Sequence, residues 1–323
     1  MKAVVNDKYG STEIFRLLEI DKPSPKDDEV MVKTAASSVN SWDWDIVTGK
    51  PYFYRLTSGV LKPKWNIIGA DFSGTVEAAG KNVTKFKPGD EVFGDLSENN
   101  WGGFAEYVCT KENSLEIKPA DISFEEAAAV PQAAVMALQG IRDYGMVEQG
   151  QKVLINGAGG GVGTFAVQLA KSAGAEVTGV DKGNKLETVT SIGADYVIDY
   201  TREDFTKNNI KYDLILDTSA HHSISGYKRV LKEKGKYVII GGKLSVIFGC
   251  LLLGNVLPKT GDKKFRLLLH KPNKNLIFLA DLLEKGEIKP VIDKCFNLNE
   301  VPVALDYFST GNVCGKIVIK TRS

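Results

Sequence analysis

A glycine-rich run is the feature of the sequence that most directly indicates chemistry. The run 156–163 reads Asn-Gly-Ala-Gly-Gly-Gly-Val-Gly, with Gly157, Gly160 and Gly163 three residues apart. It follows the apolar run 152–155, typical of a buried strand, and precedes 164–171, whose apolar residues have the helical period. A strand, a glycine turn and a helix in this order place backbone N–H groups against a phosphate. The sequence therefore predicts a dinucleotide site, lined by the following four residues: Gly159, Gly160, Gly161 and Val162.

The residues that would select the dinucleotide follow the next predicted strand. Asp181 lies about twenty positions beyond the glycines, where an acidic residue accepts the ribose 2′-hydroxyl and favours NAD. Lys182 and Lys185 stand beside it and would bind the 2′-phosphate of NADP if Asp181 turned away. These residues leave the choice between NADH and NADPH open.

The charge balance and the apolar runs of the sequence limit the kinds of molecule that this protein would bind. The 41 basic and 40 acidic side chains give a net charge of +1, which favours neither nucleic acid nor an anionic membrane. The longest apolar run, 244–257, is broken by Gly249, Gly254 and Asn255 and is too short to span a bilayer. The N-terminal residues do not have the pattern of a signal peptide, and the four cysteines are scattered. We predict a cytoplasmic protein with reduced thiols.

The pattern of elements predicts an α/β fold. The first third alternates short β-rich segments with Gly and Pro, as in Lys87-Pro-Gly-Asp90. A capping box at Ser123–Glu126 opens an alanine-rich helix. Strands and helices then alternate, which indicates a doubly wound parallel sheet of the Rossmann type. The predicted strands are 153–156, 176–180, 196–199, 214–217 and 237–240, and the predicted helices are 164–173, 185–192, 201–208 and 225–231.

Several segments carry a resemblance to a known family. They are Ser38–Asp43, Ile68–Gly74, Lys87–Phe93, Gly102–Tyr107, the glycine run, Ile192–Asp195 with Val197–Tyr200, and Cys314–Val318. In this order they resemble the medium-chain dehydrogenase/reductase superfamily, and within it the zinc-free quinone oxidoreductase-like branch. The resemblance implies a GroES-like β-rich catalytic domain, residues 1–124 and 275–323, and a Rossmann domain, residues 125–274.

The resemblance also bears on metal. The zinc enzymes of the superfamily use Cys, His and Cys as catalytic ligands, and the matching places here are Asn40, Ala70 and about Gln132. None of these supplies the thiolate or imidazole that zinc favours. The three histidines, His221, His222 and His270, do not form a site by their spacing. We predict a metal-free enzyme. Its acceptor would be a quinone or an α,β-unsaturated carbonyl, which takes hydride without a Lewis acid.

Candidate substrate residues lie in the first domain. By resemblance, Asn40 would contact the nicotinamide ribose or the substrate carbonyl, although Asn is also common in turns. Asp43 would shape the same loop, in either a structural or a functional role. Tyr52, Phe53 and Trp65 would sandwich a flat acceptor, or simply pack their loop. No side chain is assigned as proton donor.

The remaining cofactor contacts also follow from the resemblance. They are Tyr200 near the adenosine phosphate, Ser219 after the fourth strand, Gly241 and Gly242 beside the nicotinamide, and Met136, where relatives commonly have Thr. The branch favours NADPH slightly, against the simple rule from Asp181. It also implies a homodimer through the apolar run Val246–Leu253, which would otherwise be a lid or a buried element. The alternative function is a dinucleotide-binding scaffold or sensor with little turnover, and a zinc-free alcohol dehydrogenase is a third.

Overall fold

The computed structural model describes residues 1–256 and 262–321, and the chain divides into two compact units. One unit comprises Met1–Val135 with Pro272–Ser323, and the other comprises Met136–Lys271. The first unit thus continues past the predicted boundary at residue 124. It does so because the alanine-rich helix packs on its sheet, with Ala128 and Ala129 against Ala36 and Val318.

The first unit is built on antiparallel strands. Strands β1 (Lys2–Val5) and β2 (Arg16–Glu19) form a two-stranded sheet. Among the described residues a larger seven-stranded sheet has the order β14-β15-β3-β4-β5-β7, with β6 also paired to β3. Its strands are β3 (Glu29–Val39), β4 (Asp71–Ala79), β5 (Glu91–Asp95), β6 (Tyr107–Lys111), β7 (Glu116–Ile117), β14 (Ile292–Asn297) and β15 (Lys316–Lys320). Its helices are α1 (Ser41–Thr48), α2 (Arg55–Ser58), α3 (Phe124–Ala128), α9 (Leu276–Glu284) and α10 (Val301–Ser309). Helix α4 (Pro131–Leu138) runs from this unit into the second.

The second unit is a parallel sheet, as predicted. In its described residues, six strands have the order β10-β9-β8-β11-β12-β13, and every pair is parallel. They are β8 (Lys152–Asn156), β9 (Glu176–Asp181), β10 (Tyr196–Asp199), β11 (Tyr212–Asp217), β12 (Leu231–Ile239) and β13 (Lys264–Leu267). The helices are α5 (Gly161–Ser172), α6 (Leu186–Ser191), α7 (Ile224–Val230) and α8 (Leu244–Val256). The α/β fold class predicted from the sequence is confirmed.

One predicted helix is wrong. In place of a helix over 201–208, the structure has a single 3-10 turn, Phe205–Lys207. The side chain of Asp204 accepts hydrogen bonds from the N–H and hydroxyl of Thr206, at 3.0 and 2.7 Å. Asp199 binds Thr201 in the same way. These side-chain bonds offer the backbone an alternative to the helix.

The apolar run 244–257 forms a helix up to residue 256, and residue 257 lies outside the described residues. Within the described ranges, no helix is both long enough and apolar enough to cross a membrane. Phe248 and Leu252 of α8 are 59% and 65% exposed.

Candidate active site

The glycine turn joins β8 to α5 in the second unit. Gly157 has a φ of +82°, and its N–H donates to the carbonyl of Val180 at 2.9 Å. A Cβ on Gly163 would lie 2.0 Å from the carbonyl oxygen of Gly157, so only glycine allows the helix this close to the turn. The N–H of Gly160 donates to the Gly157 carbonyl at 3.1 Å and is therefore used within the turn. That leaves the N–H groups of Gly161, Val162 and Gly163, in the first turn of α5, as donors for an anion.

Asp181 faces this turn. It is buried, and its Oδ2 accepts the N–H of Gly159 at 2.8 Å while its Oδ1 accepts the N–H of Lys182 at 2.8 Å. The ammonium of Lys185, also buried, lies 3.7 Å from the same Oδ1. The carboxylate that would accept a ribose hydroxyl is therefore engaged by the protein itself.

Lys182 and Tyr200, two residues predicted to contact the adenosine half of the cofactor, lie near Asp181. The backbone N–H of Tyr200 donates to the carbonyl of Asp181 at 3.2 Å, and the Tyr200 side chain is 46% exposed. Its ring lies 6.3 Å from that of His221. Lys182 is exposed as well. Two exposed polar side chains, Lys182 and Tyr200, thus stand at the carboxyl ends of β9 and β10, where such sheets bind ligands.

A buried carboxylate organises the ends of β8 and β11. Asp217 accepts from the Asn156 amide at 2.8 Å, from the Tyr237 hydroxyl at 2.9 Å and from the N–H of Ser219 at 3.1 Å. Burial raises the pKa of Asp217, and these donors oppose the shift. The bonds fix the loop that carries Ser219 at the same edge of the sheet as the glycine turn.

The loop after β12 is held against that segment. The N–H of Ala220 donates to the Gly241 carbonyl at 3.0 Å, and a Cβ on Gly242 would lie 2.3 Å from the Ala220 nitrogen. Gly242 has a φ of +134°. The predicted positions Ser219, Gly241 and Gly242 are therefore neighbours in the second unit. Met136 is buried on α4.

The first unit holds a buried network that the sequence did not reveal. Asn40 Nδ2 donates to Asp71 Oδ2 at 3.0 Å, and the ammonium of Lys316 donates to Asn40 Oδ1 and lies 3.3 Å from Asp71 Oδ2. Asp71 is fully buried and the side chain of Lys316 is 3% exposed. Burial raises the pKa of Asp71, and Lys316 opposes that shift. The pairing of β15 with β3 and of β3 with β4 brings these residues together. The lysine directly before the apolar segment 317–319 was the one feature of the sequence that could have indicated this network.

Asp43 takes a structural position. It forms a capping box with Asn40 at the start of α1, accepting the Asn40 N–H at 2.6 Å. Its other oxygen accepts the N–H groups of Gly69 and Ala70, both at 3.2 Å. The side chain is fully buried, and that burial raises its pKa. Among the described residues these bonds go to the backbone that positions Asn40 and Ala70, which agrees with the structural one of the two roles expected for Asp43.

The other position that matches a zinc ligand is Gln132, at the start of α4. Its backbone N–H donates to Asp71 Oδ1 at 2.9 Å. Its side chain is buried, and Nε2 has no hydrogen-bond partner among the described residues. Within the same ranges, no group of three or more His, Cys, Asp or Glu side chains is arranged to hold a metal ion.

The predicted aromatic residues fall into two places of the first unit. Tyr52 and Phe53 are 67% and 46% exposed, in the 3-10 turn Tyr52–Tyr54. Trp65 instead packs on the core, with its ring 5.9 Å from that of Trp101. Asp45, one turn into α1, makes no hydrogen bond or ion pair through its carboxylate within the described residues, and burial raises its pKa to about 7.

A parallel sheet with a glycine turn at its carboxyl edge, accompanied by a β-rich unit, is the arrangement found in proteins that bind dinucleotides. Residues 26–120 match the alcohol dehydrogenase GroES-like domain family, and residues 192–319 match the zinc-binding dehydrogenase family. A 2-methylene-furan-3-one reductase of Solanum lycopersicum is 34% identical over 99% of this chain and 79% of its own length. The NADPH-dependent alkenal/one oxidoreductase, chloroplastic, of Arabidopsis thaliana is 32% identical over 99% and 79%.

The solved structures agree with these relatives. The quinone oxidoreductase from Coxiella burnetii superposes with a TM-score of 0.89 at 28% identity, over 100% of this chain and 99% of that one. The chain belongs to the medium-chain dehydrogenase/reductase superfamily, in its quinone oxidoreductase-like branch. It is an NAD(P)H-dependent oxidoreductase. The predicted family and enzyme class are confirmed.

The predicted cytoplasmic location is wrong by the same comparison. Similar proteins include chloroplastic quinone oxidoreductase homologues and a mitochondrial NAD(P)H oxidoreductase of Mus musculus. The location was predicted from cysteine usage and charge balance. Unpaired cysteines do not distinguish one reducing compartment from another.

Proposed function

We propose that this chain is a zinc-independent, NADPH-dependent reductase that transfers hydride to a quinone or an α,β-unsaturated carbonyl. The observation that carries the proposal is the buried ammonium of Lys316, which donates to Asn40 at a position that matches a zinc ligand. The Lys316 ammonium, paired with Asp71 at 3.3 Å, occupies the Asn40 oxygen that a metal ion would otherwise use, and this gives the site a different chemistry.

The donor set argues in the same direction. Asn40 Oδ1 is occupied by Lys316, Ala70 has no ligand atom, and Gln132 offers a neutral amide. Zinc in proteins is held by thiolate, imidazole or carboxylate. These residues do not fit a catalytic zinc ion, and the proposal assigns no step to one.

The second unit fits a dinucleotide. Glycine at position 163 lets α5 begin directly against the turn, and the first N–H groups of this helix are left to bind an anion. Asp181 is turned inward onto the Gly159 N–H, and the Lys185 ammonium 3.7 Å from its Oδ1 offsets its charge, so its repulsion of a 2′-phosphate is reduced. Lys182 and Tyr200 are exposed at that edge and are suited to an anion. These positions support NADPH over NADH.

The chemistry of the acceptor follows from the residue types at these three positions, Asn40, Ala70 and Gln132. When bound, the reduced nicotinamide supplies a hydride. An enone or quinone takes the hydride into a conjugated system, its oxygen takes the negative charge, and a proton from solvent completes the product. The protein needs only hydrogen-bond donors for that oxygen, which is the type of group that Asn40 and Gln132 provide. A simple ketone would form an alkoxide, and its localised charge would need stronger stabilisation than neutral hydrogen-bond donors give.

The proposal includes a homodimer through α8. Phe248 and Leu252, four residues apart, expose apolar side chains on one face of this helix. Exposed apolar patches of this kind mark contact surfaces.

The test compares NADPH and NADH oxidation with a quinone, a 2-alkenal and a simple ketone, in buffer treated with a chelator. We expect turnover of the first two acceptors, little with the ketone, and a lower KM for NADPH. If both coenzymes bind but neither is oxidised, the chain is instead a dinucleotide-binding scaffold or sensor. Loss of activity on chelation that zinc restores would refute zinc independence.

A further inference from the structure

The orientation of the Asn40 amide is fixed by its two buried neighbours. Lys316 can only donate and therefore faces Oδ1, while the carboxylate of Asp71 can only accept and therefore faces Nδ2. A reversed amide would set two donors against each other and two acceptors against each other. Nδ2 uses one hydrogen on Asp71, and the described residues supply no acceptor for the other.

Gln132 supplies a second amide donor with no partner. Its side chain is 3% exposed, and Nε2 has no hydrogen bond within the described residues. Its backbone N–H is bound to Asp71 Oδ1, while Asn40 is bound to Oδ2 of the same carboxylate. Leaving a buried amide unpaired costs stability, and binding a ligand oxygen is one way in which such a donor becomes paired.

We propose that the side-chain amides of Asn40 and Gln132 together form the hydrogen-bonding site for the substrate oxygen, with Lys316 and Asp71 as positioning residues for Asn40. The inference rests on the proposed function and deepens it. Two neutral donors take the place of the metal at the same positions of the chain. Each N–H binds the developing negative oxygen of an enone or quinone more strongly than it binds the neutral carbonyl.

The substitution Gln132→Met tests the second donor. Methionine is similar in size and removes the unpaired amide, so we expect an unchanged or higher thermal midpoint. We expect kcat to fall about 100-fold for the alkenal, as for loss of one oxyanion donor. A purely structural glutamine would give the opposite pattern, with lost stability and normal kcat per folded molecule.

Gln139→Met is the matched control. Gln139 is equally buried, but its amide is paired in both directions with the backbone of Lys271, at 2.8 and 3.2 Å. Its loss therefore leaves backbone groups unsatisfied. We expect Gln139→Met to lower the thermal midpoint and to leave kcat of the folded enzyme near that of the wild type.

The double variant Asp71→Asn/Lys316→Met tests the positioning role. The Gln132 backbone N–H would hold the carbonyl of the new Asn, so its NH2 group would face Asn40 and turn the Asn40 amide over. Without the Lys316 ammonium, the NH2 group of the reversed Asn40 amide no longer faces another donor. Both members of the buried ion pair are removed together, so neither charge is left without its partner. We expect a folded enzyme with kcat lowered at least tenfold and KM for NADPH changed by less than about twofold. Recovery of normal kcat in this variant would show that the orientation of Asn40 does not matter.

Binding of a nitrophenol provides a readout that does not depend on turnover. The donors should stabilise the phenolate, so the absorbance titration of the bound probe should shift to lower pH in the wild type and less so in Gln132→Met. If the wild type reduces neither quinone nor alkenal, the proposed function fails, and the probe still decides whether an oxyanion site exists. Equal probe titrations and equal kcat in wild type and Gln132→Met would overturn the inference.

Discussion

The pKa values of two carboxyl groups on α1, Asp43 and Asp45, are both raised by burial, but their hydrogen bonds differ. Asp43 is fully buried and accepts three backbone N–H groups, whereas Asp45, two residues later, has none of these bonds within the described residues. Burial without compensation makes the charged form of Asp45 costly. Its raised pKa is therefore linked to stability.

We expect Asp45→Asn to stabilise the protein at high pH. The folded pKa of Asp45 is about 7, against an ordinary value of 3.8, so the folded state holds a proton that the unfolded state has released between these values. The free energy of unfolding of the wild type therefore falls as pH rises from 3.8 to about 7. The variant has no carboxyl group at this position and does not show this decrease. We expect a gain of a few kcal/mol at slightly alkaline pH, at most roughly 4 kcal/mol, and none in acid, measured by urea unfolding. Asp21→Asn, at an exposed position, is the control. A gain that does not vary with pH would contradict this account.

In the proposed site, Lys182 is the residue that we propose selects the coenzyme. We expect Lys182→Glu to raise KM for NADPH at least tenfold and to change KM for NADH far less, since only the former carries the 2′-phosphate. Lys234→Glu makes the same charge change at an exposed position in β12. Steady-state kinetics with both coenzymes measure the effect. Equal losses with NADPH and NADH would mean that Lys182 does not read the phosphate.

The glycine turn shows how an element is fixed by backbone approach. A Cβ at Gly163 would collide with a backbone oxygen, whereas a Cβ at Gly160 would lie 3.4 Å from the nearest atom, an ordinary contact. We therefore expect Gly163→Ala to lower the thermal midpoint and Gly160→Ala to leave it nearly unchanged. Differential scanning calorimetry of the two single variants makes the comparison. Equal stability of both variants would show that α5 can move away from the turn without cost.

Elements with a strong pattern could be predicted from the sequence, and elements fixed by side chains could not. The strand, glycine turn and helix around Gly157–Gly163 formed as expected because apolar periodicity and glycine spacing are local signals. The helix predicted over 201–208 failed because Asp199 and Asp204 bind nearby backbone and hydroxyl groups instead. Asp181 turns inward because its side chain accepts the N–H of Gly159. The spacing of residues in the sequence does not predict this contact.

At the scale of the whole chain, the decisive contacts join distant residues. Lys316 reaches Asp71 across 245 positions because β15 pairs with β3 and β3 with β4. The family resemblance indicated Asn40 and, approximately, Gln132, but it did not indicate which residues hold them. Pairing between strands at opposite ends of the chain is not a local pattern, so the sequence could supply the candidate positions and not their partners.

The proposed homodimer gives a prediction at the same scale. We expect Phe248→Glu to shift the protein from dimer to monomer in sedimentation velocity, because it places a charge on the exposed apolar face of α8. Ile277→Glu, at a residue 67% exposed on α9, is the matched control and should leave the dimer intact. A wild type that sediments as a monomer would refute the dimer, and a Phe248→Glu variant that remains dimeric would place the interface elsewhere.

The central claim is that hydride passes to a conjugated acceptor without a metal ion. The most direct measurement is the position of deuterium in the product when NADPH deuterated at C4 reduces a 2-alkenal in chelated buffer. We expect a saturated aldehyde with deuterium at the β-carbon, and protium from solvent at the α-carbon. Deuterium at the carbonyl carbon, giving an unsaturated alcohol, would contradict it, because that product requires the alkoxide chemistry that these residues are not built to support.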